Sequence, residues 1–372
     1  MTGTKKLQVG ILFGGRSGEH EVSLMSARSV LDALDLQKYT VIEIGITHEG
    51  AWLVGENVLE MMLAGNTDHL IPATCFPDPI RRGLYIIKET QKGTILEHFA
   101  DIDVFLPVLH GSFGEDGTLQ GLFEMAGVAY VGAGVVGAAV GMDKGVFKDV
   151  MKSRAIPVVD GFVVSRSQLQ TQSESIIEQA ESMGSYPFFT KPANLGSSVG
   201  VTKCRSRSDL YEGMLEAARF DRRILIERGI NAREIEISVL GNDEPQASIP
   251  GEIRPAADFY SYDAKYHDDR SELFIPAQIP EETAEQMRKA AIRAYRAIDC
   301  AGMARVDFLL DRDTGAFYLN ELNTIPGFTQ ISMYPKLWDA SGLPYPKLID
   351  RLIELALERR RERDQTEWRY ER

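Results

Sequence analysis

A chain of 372 residues, 44% hydrophobic and 26% charged, has soluble globular composition and enough apolar side chains for two or three separate cores. Its 54 acidic against 41 basic residues leave a net charge of -13, which disfavours nucleic acid or an anionic membrane as partner. Any anionic ligand must then be met by locally placed cations. Cys75, Cys204 and Cys300 form neither a metal-type spacing nor a disulfide framework, and the amino end lacks a secretory pattern, so a cytoplasmic location is expected.

In chain order, "LQVGILF" reads as a buried strand, "EHEVSLMSARSVLDAL" as a helix, and "YTVIEIGI" and "DVFLPVLHG" as strands; "GTLQGLFEMAG" follows as a helix and "VAYVG" as a strand. That alternation predicts an open parallel sheet with helices on both faces over about the first 140 residues. Residues 125 to 142 carry no charge, yet Gly127, Gly132, Gly134, Gly137 and Gly141 make strand, turn and helix start a better account than a membrane span. A different unit begins at "MDKGVFKDVMKSRAIPVVDGF". It has a polar stretch at 165 to 184 and strands at "YPFFTKP", "SSVGVTK" and "ILIERGI". The last third holds "REIEISVLG", a polar aromatic loop "DFYSYDAKYHDD", and a helix with Met287, Ala291, Ala294, Tyr295 and Ile298 on one face. Two strands follow, and a charged tail continues a helix into solvent.

Those two late strands, "ARVDFLL" and "AFYLNEL", flank "DRDTG", which has hairpin-turn chemistry. The two-residue period puts Arg305 and Asp307 on one face and allows Glu321 and Asn323 to share it. Two carboxylates and an amide oxygen brought together are hard ligands suited to Mg²⁺. A solvated sheet face with an Arg-Glu cross-strand pair accounts for the same pattern. Lys191 ends a strand and leads into Gly196 to Gly200, a Ser-Ser segment whose backbone N–H groups can lie over phosphates. Lys144 and Lys265 add cations outside helix interiors. No Walker loop occurs.

Seven ordered segments, "GGRSGEHEVSL", "HGSFGEDGTLQG", "MDK", "TKPANLGSSVGV", "YDAKY", "GMARVDFLL" and "NELNTIPGFT", resemble the D-alanine–D-alanine ligase family of the ATP-grasp superfamily. The resemblance implies an amino-terminal open parallel α/β domain (1–141) followed by a two-part ATP-grasp fold: a central lid domain (142–230) and a carboxy-terminal catalytic domain (231–372). It also implies a homodimer, two D-alanine substrates, ATP, and two Mg²⁺ ions for which Mn²⁺ substitutes.

On this resemblance Glu321, Asn323 and Asp307 are metal ligands. Lys144 and Lys191 hold ATP phosphates under a loop carrying Gly196 and Ser198, and Glu227 and Glu234 serve adenine and ribose. Arg305 and the Gly327 N–H stabilise an oxyanion, and Glu19 fixes the first ammonium with Ser197 and Tyr266 as partners. Lys265 and Ser332 hold the second carboxylate, and His110 stands near the first site. Plainer roles exist for several of these: Glu19 as an acid at a helix start, His110 as a satisfied strand-end histidine, Tyr266 as a loop anchor, Ser332 as a cap. Lys265-Tyr266 matches the dipeptide-forming pattern, whereas relatives that join D-alanine to D-lactate commonly have Phe at the tyrosine's place. A competing signal, G-x-G-x-x-G at 132–137, points to an NAD-dependent dehydrogenase, but it closes the α/β unit instead of opening it and lacks the downstream acid.

Overall fold

The computed structural model describes residues 6–254, 272–367 and 369. The first unit runs β1 (Leu7–Gly14), α1 (His20–Ala33), β2 (Tyr39–Ile46), β3 (Trp52–Val54), α2 (Val58–Leu63), β4 (Ile71–Cys75), β5 (Leu84–Thr90), β6 (Gly93–Ala100), β7 (Val104–Pro107), α3 (Thr118–Ala126), β8 (Ala129–Tyr130) and α4 (Val135–Met142). Its eight strands form one sheet in the order β6-β5-β4-β3-β2-β1-β7-β8. The β2-β1-β7-β8 half is parallel, as the alternation of strands and helices predicts. The β3 to β6 half is antiparallel, so the sheet is mixed. The physical reason lies in the connections: α1 supplies the crossover that a parallel pair needs, while β2 to β3 and β5 to β6 are joined by links too short for one. Both faces of β1 are covered. Val9, Ile11 and Phe13 pack with α1 and the carboxy-terminal helix, and Leu12 lies with Leu119 and Phe123 of α3.

The second unit is α5 (Lys144–Ser153), β9 (Gly161–Ser165), α6 (Arg166–Ser182), β10 (Phe188–Pro192), β11 (Thr202–Cys204), α7 (Arg207–Phe220) and β12 (Arg223–Arg228). Its antiparallel sheet has the order β11-β10-β12-β9. The polar stretch at 165 to 184 proves to be helix α6. Its start is legible in hindsight, because Ser165 and Gln168 form a capping box. The segment "SSVGVTK" is strand only over β11; Ser197 and Ser198 adopt left-handed φ of 52° and 59°, which ends any extended run there.

The third unit comprises β13 (Ala232–Gly241), β14 (Gln246–Ala247), β15 (Gly251–Arg254), β16 (Glu272–Phe274), α8 (Glu281–Ala297), β17 (Gly302–Asp311), β18 (Phe317–Asn323), α9 (Met333–Ala340) and α10 (Tyr345–Arg363). The sheet order is β16-β15-β13-β17-β18, with β14 on β13. The apolar face of α8 is the expected one: Met287, Ala291, Ala294 and Tyr295 are buried in one core with Ile235 and Ile237 of β13. Helix α10 buries Leu348, Leu352 and Ile353 against the first sheet, so the first and third units share a core. No helix among the described residues is long and apolar enough to cross a membrane.

The glycines of the 132–137 motif serve packing. A Cβ on Gly302 would stand 3.0 Å from the Gly132 nitrogen, and one on Gly137 would stand 3.0 Å from the Asp299 carbonyl oxygen. Gly302 and Gly137 therefore let the first unit seat against the third, while Gly132 has a φ of +100° that favours glycine. Gly302 also has a φ of +73°, so Gly302→Ala is expected to cost roughly 2 kcal/mol or more, from strain and overpacking together. Denaturant unfolding checks this; an unchanged midpoint would mean that the two backbones are not in contact.

Candidate active site

The β17–β18 hairpin sets the floor. Its register pairs Arg305 with Asn323 and Asp307 with Glu321, with a bulge after Asp307, so the four residues expected on one face are together. Arg305 donates from Nε and Nη2 to the two oxygens of Asp307, both at 2.7 Å, and its Nε lies 3.0 Å from Glu236 Oε2 on the neighbouring β13. Asn323 Nδ2 donates to Asp307 Oδ2 at 3.0 Å. Burial works against the guanidinium's charge, but Asp307 and Glu236 outweigh it and hold Arg305 well above the ordinary arginine range. The face is therefore a part-buried charge network, and the simple solvated face does not describe it.

A cavity of about 770 Å³ opens over this floor. Glu321, Asn323 and Asp307 line it from the third unit, and Lys144, Lys191 and Glu227 from the second. Glu234, Gly196, Ser197 and Ser198 also face it, as do the apolar Phe189 and Ile253.

Two lysines clasp Glu227. Lys191 reaches Oε1, and Lys148 lies 2.8 Å from Oε2. Burial alone would raise this carboxyl, yet Lys148 and Lys191 overcome it and hold it down to about 2. Because the folded pKa lies below the ordinary glutamate value of about 4.3, this contribution to stability is present above that value and is lost as pH falls toward 2. The melting-temperature difference between the native chain and Glu227→Gln is accordingly expected to shrink from pH 4.5 to pH 2. A difference constant with pH would contradict the ionised state.

Lys144 follows Asp143, which accepts the N–H groups of Gly145 and Val146 as the cap of α5 and is paired with Arg223 of β12. The Lys144 ammonium donates to the Leu195 carbonyl at 2.5 Å, which places it against the start of the 196–200 loop. That loop reaches the first unit, where the Ser197 hydroxyl donates to Glu19 Oε1. Two glycines lie against this carboxylate: a Cβ on Gly196 or on Gly111 would stand 2.7 Å or 2.8 Å from Glu19 Oε2 and would push that oxygen aside. Glu19 occupies the position before α1 but makes no side-chain cap. Its carboxylate is turned to the loop instead.

His110 is buried, with Nδ1 3.1 Å from the Ile325 carbonyl and Nε2 3.3 Å from Ser26 Oγ. The carbonyl can only accept, so Nδ1 carries the proton. Burial pushes the imidazole below its usual range, against the opposing charge of Glu19. A Cβ on Gly327 would lie 2.8 Å from Ser332 Oγ, so these two residues are in contact. Ser332 stands before α9 without capping it; its hydroxyl oxygen accepts the Thr329 N–H at 3.1 Å and lies 2.7 Å from Thr329 Oγ1. Lys265 and Tyr266 lie outside the described residues.

Three residues of the site carry no signal strong enough to be singled out from sequence. Lys148 follows Lys144 by one helical turn, a spacing that puts both on one face of α5. Glu236 alternates with Glu234 along β13. Glu115 accepts the N–H groups of Gly111 at 2.9 Å and Ile325 at 3.0 Å, tying the 110–115 loop to the end of the hairpin. Burial pushes its carboxyl up to about 8, and the charge of Glu19 adds to this against the two N–H groups.

An α/β unit followed by two antiparallel sheets that close on a cavity of lysines and carboxylates defines the ATP-grasp class of nucleotide-dependent ligases. Models of the "D-ala D-ala ligase N-terminus" and "D-ala D-ala ligase C-terminus" match residues 8–133 and 150–354, and the chain belongs to the D-alanine–D-alanine ligase family. It is 49% identical over 358 residues to the D-alanine–D-alanine ligase of Heliobacterium modesticaldum, covering 96% of each chain. The ligase of Thermoanaerobacter pseudethanolicus is 50% identical over 361 residues, covering 96% of this chain and 99% of that one. Among solved structures, the D-alanine-D-alanine ligase of Coxiella burnetii superposes with a TM-score of 0.83 at 36% identity over 97% of both chains. The VanG D-Ala:D-Ser ligase of Enterococcus faecalis gives 0.82 at 33% identity, covering 95% of this chain and all of that one.

Proposed function

We propose that the chain joins two D-alanines into D-alanyl-D-alanine at the expense of ATP, through an acyl phosphate, and that the dipeptide serves peptidoglycan synthesis in the cytoplasm. The observation that carries the reading is the hairpin floor, where Asp307, Glu321 and Asn323 line a cavity together with Lys144, Lys191 and Ser197, while Arg305 is paired with Asp307 and Ser197 is bonded to Glu19. A carboxylate becomes an electrophile when one of its oxygens attacks the γ-phosphorus of ATP and ADP leaves. The amine of a second molecule then attacks the acyl carbon, loses a proton and expels phosphate. Such transfer depends on positioning and charge neutralisation more than on a protein nucleophile.

Phe189 and Ile253 take the base, Glu227 and Glu234 face the nucleoside, and Lys144 and Lys191 hold phosphates beneath Gly196 and Ser198. Glu19 fixes the first ammonium, with Ser197, Tyr266 and His110 around it. Arg305 and the Gly327 N–H stabilise the tetrahedral oxyanion, and Ser332 and Lys265 hold the second carboxylate. The segment 142–230 acts as the lid between the 1–141 and 231–372 units, and two copies assemble as a dimer.

The donor set fits Mg²⁺ or Mn²⁺. No three His, Cys, Asp or Glu side chains converge among the described residues; the set that the family resemblance implies is two carboxylates, Asp307 and Glu321, and the Asn323 amide oxygen, all on the cavity wall. All three are hard oxygen donors, and phosphate oxygens and water complete such a shell. When bound, the two cations neutralise charge on the transferred phosphoryl group. Incubation with ATP, Mg²⁺ and D-alanine is expected to give one ADP and one phosphate per dipeptide. AMP and pyrophosphate would overturn the acyl-phosphate route.

A further inference from the structure

One buried charge in the second unit touches the site without lining it. The Lys148 side chain is 4% exposed and does not line the cavity, yet its ammonium is 2.8 Å from Glu227 Oε2. The opposite oxygen of the same carboxylate meets Lys191, which does line the cavity. Lys148, Glu227 and Lys191 thus form a row from α5 through β12 to β10, with formal charges of plus, minus and plus.

The sum decides what a nucleotide encounters. Lys191 with Glu227 alone is a neutral buried pair, in which the carboxylate competes with any phosphate for the ammonium. A second cation behind the carboxylate restores a net positive charge, and low local dielectric preserves its reach into the cavity. We propose that Lys148 is a positioning residue that neutralises Glu227 from behind, so that Lys191 presents its full charge to the phosphates of the nucleotide. The proposal rests on the ligase reading. Glu227 is held down by both lysines, as a carboxylate shared between two cations requires; burial works against the Lys148 charge and sets it below the ordinary lysine range, and Glu227 opposes that.

The probe is inorganic tripolyphosphate, whose binding is measured by calorimetry, alongside KM for ATP and for D-alanine. Lys148→Met is expected to weaken tripolyphosphate binding and raise KM for ATP by at least about tenfold, with KM for D-alanine within about twofold. Lys148→Arg keeps the charge and stays within about threefold of the native chain. The double variant Lys148→Met with Glu227→Gln removes one charge of each sign, returns the net positive charge, and regains tripolyphosphate binding to within about threefold of native. Native-like binding by Lys148→Met, or a double variant no better than the single, would overturn the proposal. If Lys148→Met does not fold, the double variant carries the test: near-native tripolyphosphate binding supports the charge relay and a loss of tenfold or more refutes it. A native chain that makes no dipeptide from ATP and D-alanine refutes the ligase reading instead, since tripolyphosphate binding is read without turnover.

Discussion

Replacing Glu321 by Gln yields a folded chain whose ligation rate is lower by at least about a thousandfold. The substitution keeps the shape of the side chain and removes one charge from the floor, where Glu321 stands across from Asp307 on β18. Glu321 is only half-buried, so the melting temperature is expected to move little. The loss lies in kcat, because the charge is needed most where the phosphoryl group carries its charge in transit. Steady-state kinetics at saturating Mg²⁺, with a thermal melt beside them, decide the matter. An unchanged kcat would remove Glu321 from the metal set.

Arg305→Met is expected to cost both activity and stability. The guanidinium is part-buried between Asp307 and Glu236, and its removal leaves two carboxylates near each other without a cation. Breaking a fully buried pair in this way costs about 3–5 kcal/mol, and part exposure to solvent sets the loss here below that. Removing an oxyanion donor costs a further factor of about 10² to 10³ in kcat. The two effects separate in Arg305→Met combined with Glu236→Gln, which relieves part of the repulsion. Stability should recover in part and activity should not. Recovery of both would make Arg305 a scaffold residue without a place in the reaction.

The hairpin could be read before the fold because a two-residue period and a "DRDTG" turn are local signals, and the register then follows from the turn. The mixed character of the first sheet was less legible. Segments such as "GTILEHFA" on β6 are exposed on both sides and lack the alternation that marks a half-buried strand. Ser165 carried its cap in the sequence, but a helix as polar as α6 declares little periodicity. The roles of single residues were hardest to see. Glu227 stands in an apolar strand, and only the fold brings Lys148 and Lys191 to its two oxygens from separate elements. Glu115 likewise acquires its partner Ile325 across more than two hundred residues. The G-x-G-x-x-G segment shows the reverse case, a short motif in which Gly137 serves the approach of Asp299 and Gly132 meets the backbone of Gly302.

The central claim is that a D-alanine carboxylate oxygen attacks the γ-phosphorus of ATP at this site. It is tested most directly with D-alanine carrying ¹⁸O in both carboxylate oxygens, by mass analysis of the products. The account predicts that each dipeptide formed is accompanied by ADP and by one phosphate bearing a single ¹⁸O from the substrate. Unlabelled phosphate, or label recovered in AMP, would contradict it.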